Sequence, residues 1–76
     1  MHKLRYSLKA VKALADSLLS AGHGIHRGEE SLDIPYGSVQ DLAAIKKLVI
    51  AANLPPTISW QVDETSKLLS IFDSRV

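Results

Sequence analysis

The sequence predicts an α+β domain: two amphipathic helices packed on one face of a small, mainly antiparallel sheet of three or four strands. The order is α-β(β)-α-β-β. Three observations carry this reading. Two segments repeat their apolar residues at helical spacing, each closed by a helix stop. A third segment, after a double proline, alternates apolar and polar residues as a half-buried strand does. At 76 residues the chain has room for one domain spanning 1–76.

The first helix is expected at about 7–21. Leu8, Val11, Leu14, Ala15, Leu18 and Leu19 form its apolar stripe. Lys9, Lys12, Asp16 and Ser20 fall on the other side. Ser7 is placed to cap the first turn, and Gly22 suits the left-handed position after the last.

The second helix opens on Ser38-Val39-Gln40-Asp41, a capping box with Asp in the Glu/Gln position. Leu42, Ile45, Leu48, Val49 and Ala52 follow as a stripe. Ile50 and Ala51 widen it, so burial on more than one side is expected. Asn53 takes the left-handed cap and Pro55-Pro56 forbids continuation.

Ile58, Trp60 and Val62 then alternate with Ser59 and Gln61. Asp63-Glu64-Thr65-Ser66 reads as a turn. Lys67 to Phe72 returns as a second strand, with Leu68 and Phe72 pointing opposite to Leu69 and Ile71. Between the helices, 31–35 alternates as a strand, and Pro35 places itself at an edge or a strand end. Gly24 to Arg27 pairs with it through a turn at Gly28-Glu29-Glu30.

The order helix–hairpin–helix–hairpin invites a search for a repeat. A shift of 31 lays Ser7 on Ser38, Val11 on Leu42, Leu14 on Ile45 and Gly22 on Asn53. Any two capped amphipathic helices align in this way, so the match is read either as generic or as a duplicated αββ unit.

Composition bounds the function. Hydrophobic residues make up 46% of the chain and charged residues 22%, which is globular rather than disordered. There is no cysteine, so no disulfide scaffold, thiolate ligand or thiol nucleophile. No apolar run approaches a bilayer span, and the N-terminus lacks an uncharged signal core. The expectation is a soluble, cytoplasmic protein with no membrane partner. The net charge of +1 conceals a dipolar layout. Residues 1–28 carry five bases against one acid, and residues 29–45 carry four acids and no base.

Chemistry-bearing patterns are sparse. His23 and His26 have H-x-x-H spacing with Glu29 and Glu30 close behind, but they lie in a glycine-rich loop without further ligands at fixed offsets. The third histidine, His2, sits at the N-terminus. A solvated polar loop is the favoured reading, with no metal and no cofactor. As an active site, His26 would act as a base oriented by Glu29, Glu30 or Asp33. No nucleophile elbow, phosphate-binding loop or dinucleotide fingerprint supports this, so no enzyme is expected.

The leading functional expectation is therefore a non-enzymatic protein-binding module. It would be a small regulator, adaptor or inhibitor whose partner is another protein or a second copy of itself, as a homodimer. Trp60, Leu68, Phe72 and Tyr36 are its candidate contact residues, because a sheet apolar on both faces needs a second cover. For Trp60 a place in the core is the favoured of the two alternatives. The alternative function is weak nucleic-acid binding through a basic N-terminal helix face of Arg5, Lys9, Lys12 and Arg27. The acidic stretch Glu29 to Asp33 beside a candidate edge strand reads as protection against strand addition rather than as an invitation to it.

Overall fold

The computed structural model describes residues 3–75. The N-terminal His2 lies outside that range. The elements follow in the order α1 (Lys9–Ser20), β1 (His26–Arg27), β2 (Ser31–Pro35), α2 (Val39–Ala51), β3 (Ile58–Asp63) and β4 (Leu68–Asp73). The strands form one antiparallel sheet in the order β1-β2-β4-β3. Exchanging the two αββ halves reproduces that order, so the β2–β4 seam divides the sheet into two equivalent hairpins.

Register assigns every strand residue to a face. Across the seam Leu32 opposes Ile71, Asp33 opposes Ser70 and Ile34 opposes Leu69. In β3, Trp60 opposes Ile71 and Val62 opposes Leu69. Directly opposed residues share a face of the sheet. Leu32, Ile34, Leu69 and Ile71 are fully buried and join Val11, Leu14, Leu18, Ile45 and Val49 of the helices in one core. Among the described residues, no element covers the opposite face.

Both helices end as their sequences direct. Gly22 stands at φ +88°, the His23 N–H reaches the Leu18 carbonyl at 2.9 Å, and the Gly22 N–H reaches the Leu19 carbonyl at 3.0 Å. These are the paired bonds of a Schellman ending. Asn53 takes φ 50° after α2, with Leu54 folded back onto the core. The Ser38 hydroxyl accepts the Asp41 N–H at 3.1 Å. The reciprocal bond of the capping box is shifted by one residue. Asp41 accepts from the Gly37 N–H at 3.3 Å, not from Ser38.

Three sequence expectations are corrected. Ser7 does not cap α1: the helix begins at Lys9, its N-cap is Leu8, and no side chain caps it. The chain before it is held by the first hairpin. Leu4 is buried and its N–H donates to the Glu29 carbonyl at 3.0 Å. The Tyr6 hydroxyl lies within donating range of the Gly28 and Ser31 carbonyls. Residues 5–8 turn tightly to meet the helix, with the Leu8 N–H on the Arg5 carbonyl.

Second, α2 is buried along one side only. Ile45 and Val49 are its buried residues, whereas Val39 is 82% and Ile50 65% exposed. Ile50 follows Val49 by about 100° around the helix, which carries it off the narrow stripe.

Third, β2 is not an edge. It lies between β1 and β4, so the acidic stretch guards no open strand. The edges are the two-residue β1 and the six-residue β3. Pro35 does end its strand.

One buried charge was not anticipated. Asp73 continues the inward set of β4 at 3% exposure, opposite Ile58. It accepts Arg75 Nη2 at 2.6 Å, Arg75 Nε at 2.9 and 3.0 Å, and the Arg75 backbone N–H at 3.0 Å. Ser74 ties the same strand end to the Thr57 carbonyl. A forked guanidinium meets both carboxylate oxygens, so each oxygen of the buried side chain has a partner.

Two measurements follow from this packing. Leu69→Ala is expected to cost about 2–5 kcal/mol in urea unfolding, and Ile50→Ala less than about 0.5 kcal/mol. The second concerns Tyr6, whose hydroxyl pKa is raised, first by burial and then by the charge of Asp33, with Arg27 opposing. The neutral form is thus favoured in the folded state. Its contribution is complete below the unfolded value of about 10 and declines as pH rises from there through the folded value. The stability of the wild type is expected to fall with rising pH in that alkaline window. Tyr6→Phe removes that dependence and lowers stability at neutral pH by about 1 kcal/mol.

Candidate functional site: the open sheet face

The uncovered face is built from alternate residues of the strands. His26 comes from β1, and Ser31, Asp33 and Pro35 from β2. Leu68, Ser70 and Phe72 come from β4, and Ser59, Gln61 and Asp63 from β3. Leu68, Ser70 and Phe72 are half-buried by neighbours within the sheet. Apart from Pro35 the rest of the face is polar, and no strand position on it holds lysine or arginine.

Asp33 is the centre of this face. It is the middle residue of the β2–β4 register and faces Ser70. Its Oδ1 accepts the Ser70 hydroxyl at 2.7 Å and the Ser31 hydroxyl at 3.1 Å. His26 opposes Asp33 on the other side, across β1–β2. No hydrogen bond joins His26 to Asp33 among the described residues, and Ser70 gives its proton directly to a carboxylate, a weak base toward a hydroxyl. The arrangement locks Asp33 in place rather than activating a serine through an imidazole.

Beside Asp33 the face dips into a shallow cavity of about 280 Å³ lined by Glu30, Ser31, Gln61, Ser70 and Phe72. A second, wider groove of about 460 Å³ runs between the ends of the helices, past Leu8, Lys9, Ala10, Ala13, Ala52 and Pro55. It offers small apolar side chains and one ammonium group.

The structure separates the sequence-derived contact residues. Leu68 and Phe72 share the open face. Trp60 is on the helix side of edge strand β3, packed against the core, so the core alternative describes it. Tyr36, just past β2, also packs against the core, and its N–H donates to the Lys67 carbonyl at 3.1 Å. The basic set is divided as well. Lys9 and Lys12 are exposed on α1, Arg5 precedes the helix, and Arg27 sits on edge strand β1. The late start of α1 removes Arg5 from the helical stripe. Among the described residues, no three histidine, aspartate or glutamate side chains come close enough to hold a metal ion.

Ser31, Gln61 and Ser70 were not singled out in the sequence, and Asp33 entered as a partner for His26 and as the end of the acidic stretch. Period-two alternation places Gln61 opposite Trp60 in β3, and Ser70 with Leu68 in β4. What alternation lacks is the pairing that sets Ser70 against Asp33.

No helix among the described residues is long and apolar enough to cross a membrane. No family model matches the chain, and neither a curated protein nor a solved structure matches it.

Ser70→Ala is expected to lower stability by about 1 kcal/mol in urea unfolding, the net value of one hydrogen bond to a partly buried charge that keeps a second donor. Loss of less than a few tenths would show that the Asp33 lock contributes nothing to the seam.

Proposed function

We propose that this protein is a non-enzymatic protein-binding module, a small regulator, adaptor or inhibitor, whose partner docks on the open sheet face. The supporting observation is that Leu68 and Phe72 flank Ser70 on a face that no helix of the described residues covers. Hydroxyl, amide and carboxylate groups lie between and around them. Apolar side chains set among polar groups suit a protein contact.

Charge favours a protein over a nucleic acid at this face. Glu30, Asp33 and Asp63 stand on or beside it and no strand residue there is basic, so phosphates are repelled. Charge also favours a different protein over a second copy. Two copies stacked face to face about a twofold axis through the seam would bring Asp33 against Asp33, an uncompensated like-charge contact.

The second reading, weak nucleic-acid binding, is supported by Lys9 and Lys12. Both are exposed, three residues apart on α1, and without an ion pair among the described residues. Arg5 and Arg27 are exposed too.

Paired baits separate the two readings. Wild type, Leu68→Glu/Phe72→Glu and Lys9→Glu/Lys12→Glu are used to capture partners from host lysate with and without nuclease treatment, with far-ultraviolet circular dichroism as the check on folding. A stoichiometric protein is expected on the wild type and on the helix variant. The face variant is expected to bind it at least about thirtyfold more weakly, the weight of a ~2 kcal/mol hot spot. Equal capture by the face variant overturns the docking face. Binding that nuclease abolishes and the helix variant loses would assign the protein to nucleic acid.

A further inference from the structure

We propose that the cavity on the open face receives an arginine side chain of the partner; this rests on the docking face assigned above. Ser31 and Ser70 both line the cavity, and the hydroxyl of each donates its single proton to Asp33 Oδ1, behind the lining. A hydroxyl whose proton is engaged has only lone pairs left to offer. Both oxygens therefore meet an incoming group as acceptors. Glu30 adds a carboxylate at the rim, and the Gln61 amide has an oxygen to contribute.

Asp33 Oδ2 takes no hydrogen bond among the described residues, and no buried side-chain oxygen there lacks a partner, so this oxygen is open to solvent. It lies on a carboxylate already fixed by two hydroxyls. Little conformational freedom remains to be lost when a donor arrives.

The cavity lining is thus rich in acceptors and holds no lysine or arginine, with the Asp33 carboxylate bonded to two of its residues. A cationic ligand would supply the countercharge. Phe72 supplies an aromatic wall. A guanidinium matches this set: it is planar, presents five N–H donors in a fixed fork and stacks on aromatic rings. An ammonium is a compact, strongly hydrated point charge with three donors and no plane to stack. The volume of about 280 Å³ is below the usual range of cavities that enclose a small molecule, and fits one side chain of a docked protein.

The test is a titration of the ¹⁵N-labelled full chain, followed by amide chemical shifts. The probes are N-acetyl-arginine amide, N-acetyl-lysine amide and the neutral isostere N-acetyl-citrulline amide. Saturable shifts at Ser31, Ser70, Phe72 and the Gln61 side-chain amide are expected with arginine, with weaker binding of lysine and none of citrulline. Asp33→Asn is expected to weaken arginine binding by about tenfold, the loss of one charge-assisted bond. Glu30→Gln, at an exposed position that does not support the fold, weakens it several-fold. Citrulline or lysine binding equal to arginine, or both variants binding like the wild type, overturns the assignment. A partner that is captured by wild type and lost from the Leu68→Glu/Phe72→Glu protein, beside an arginine probe that moves no shifts, leaves the docking face standing and removes the arginine.

Discussion

The antiparallel pairing of β2 with β4 is the constraint on which the remaining structure depends. It joins two hairpins that are distant in sequence, and its register decides which residues meet the helices. With Asp33 opposite Ser70, Leu32, Ile34, Leu69 and Ile71 all point to one side. A slip of β2 by one residue would turn Ser31, Asp33 and Pro35 into the core and expose Leu32 and Ile34. The burial of those four side chains is therefore both the result of the register and its guarantee. Asp33 adds a polar lock at the centre of the same seam, since its bond to Ser70 forms only in this alignment.

Around the seam, two further ties close a domain small enough to be marginal in stability. The N-terminal segment lies across the first hairpin through Leu4 and Tyr6, so a two-residue edge strand is supported by contacts outside its ladder. At the far end of the sheet, Asp73 and Arg75 pair while Ser74 holds Thr57, which anchors the last strand to the beginning of β3. The left-handed residues Gly22 and Asn53 end the helices and redirect the chain toward the sheet. Each tie joins a weak element to a strong one.

The functional reading follows from the same geometry. Two helices suffice to cover one face of a four-stranded sheet, and the other face is left with Leu68 and Phe72 beside an ordered carboxylate. The network at the seam leaves the hydroxyl oxygens of Ser31 and Ser70 as acceptors. In the proposed function, Asp33 would serve both the seam and the partner.

The sequence by itself determined the elements and much of their punctuation. Helical periodicity, Ser38, Gly22, Asn53 and the double proline located both helices, and alternation located the second hairpin with its two apolar faces. These signals are local: a cap, a left-handed residue or a period of two acts within a few neighbours. Tertiary structure decided the rest. Ser7 was a good cap by local rules, yet Leu4 and Tyr6 draw the preceding chain onto the first hairpin and the helix starts later. Ile50 looked like core, but burial is set by what lies opposite α2, and nothing does at that angle. Trp60 and Phe72 were both contact candidates, Trp60 with the core as its favoured place, and strand pairing put them on opposite faces. Alternation gave Ser70 and Gln61 a face but no role, because a serine or glutamine acquires one only from the neighbour that register brings to it. Long-range pairing joins residues about forty positions apart, and no local pattern in the chain encodes which of them will meet.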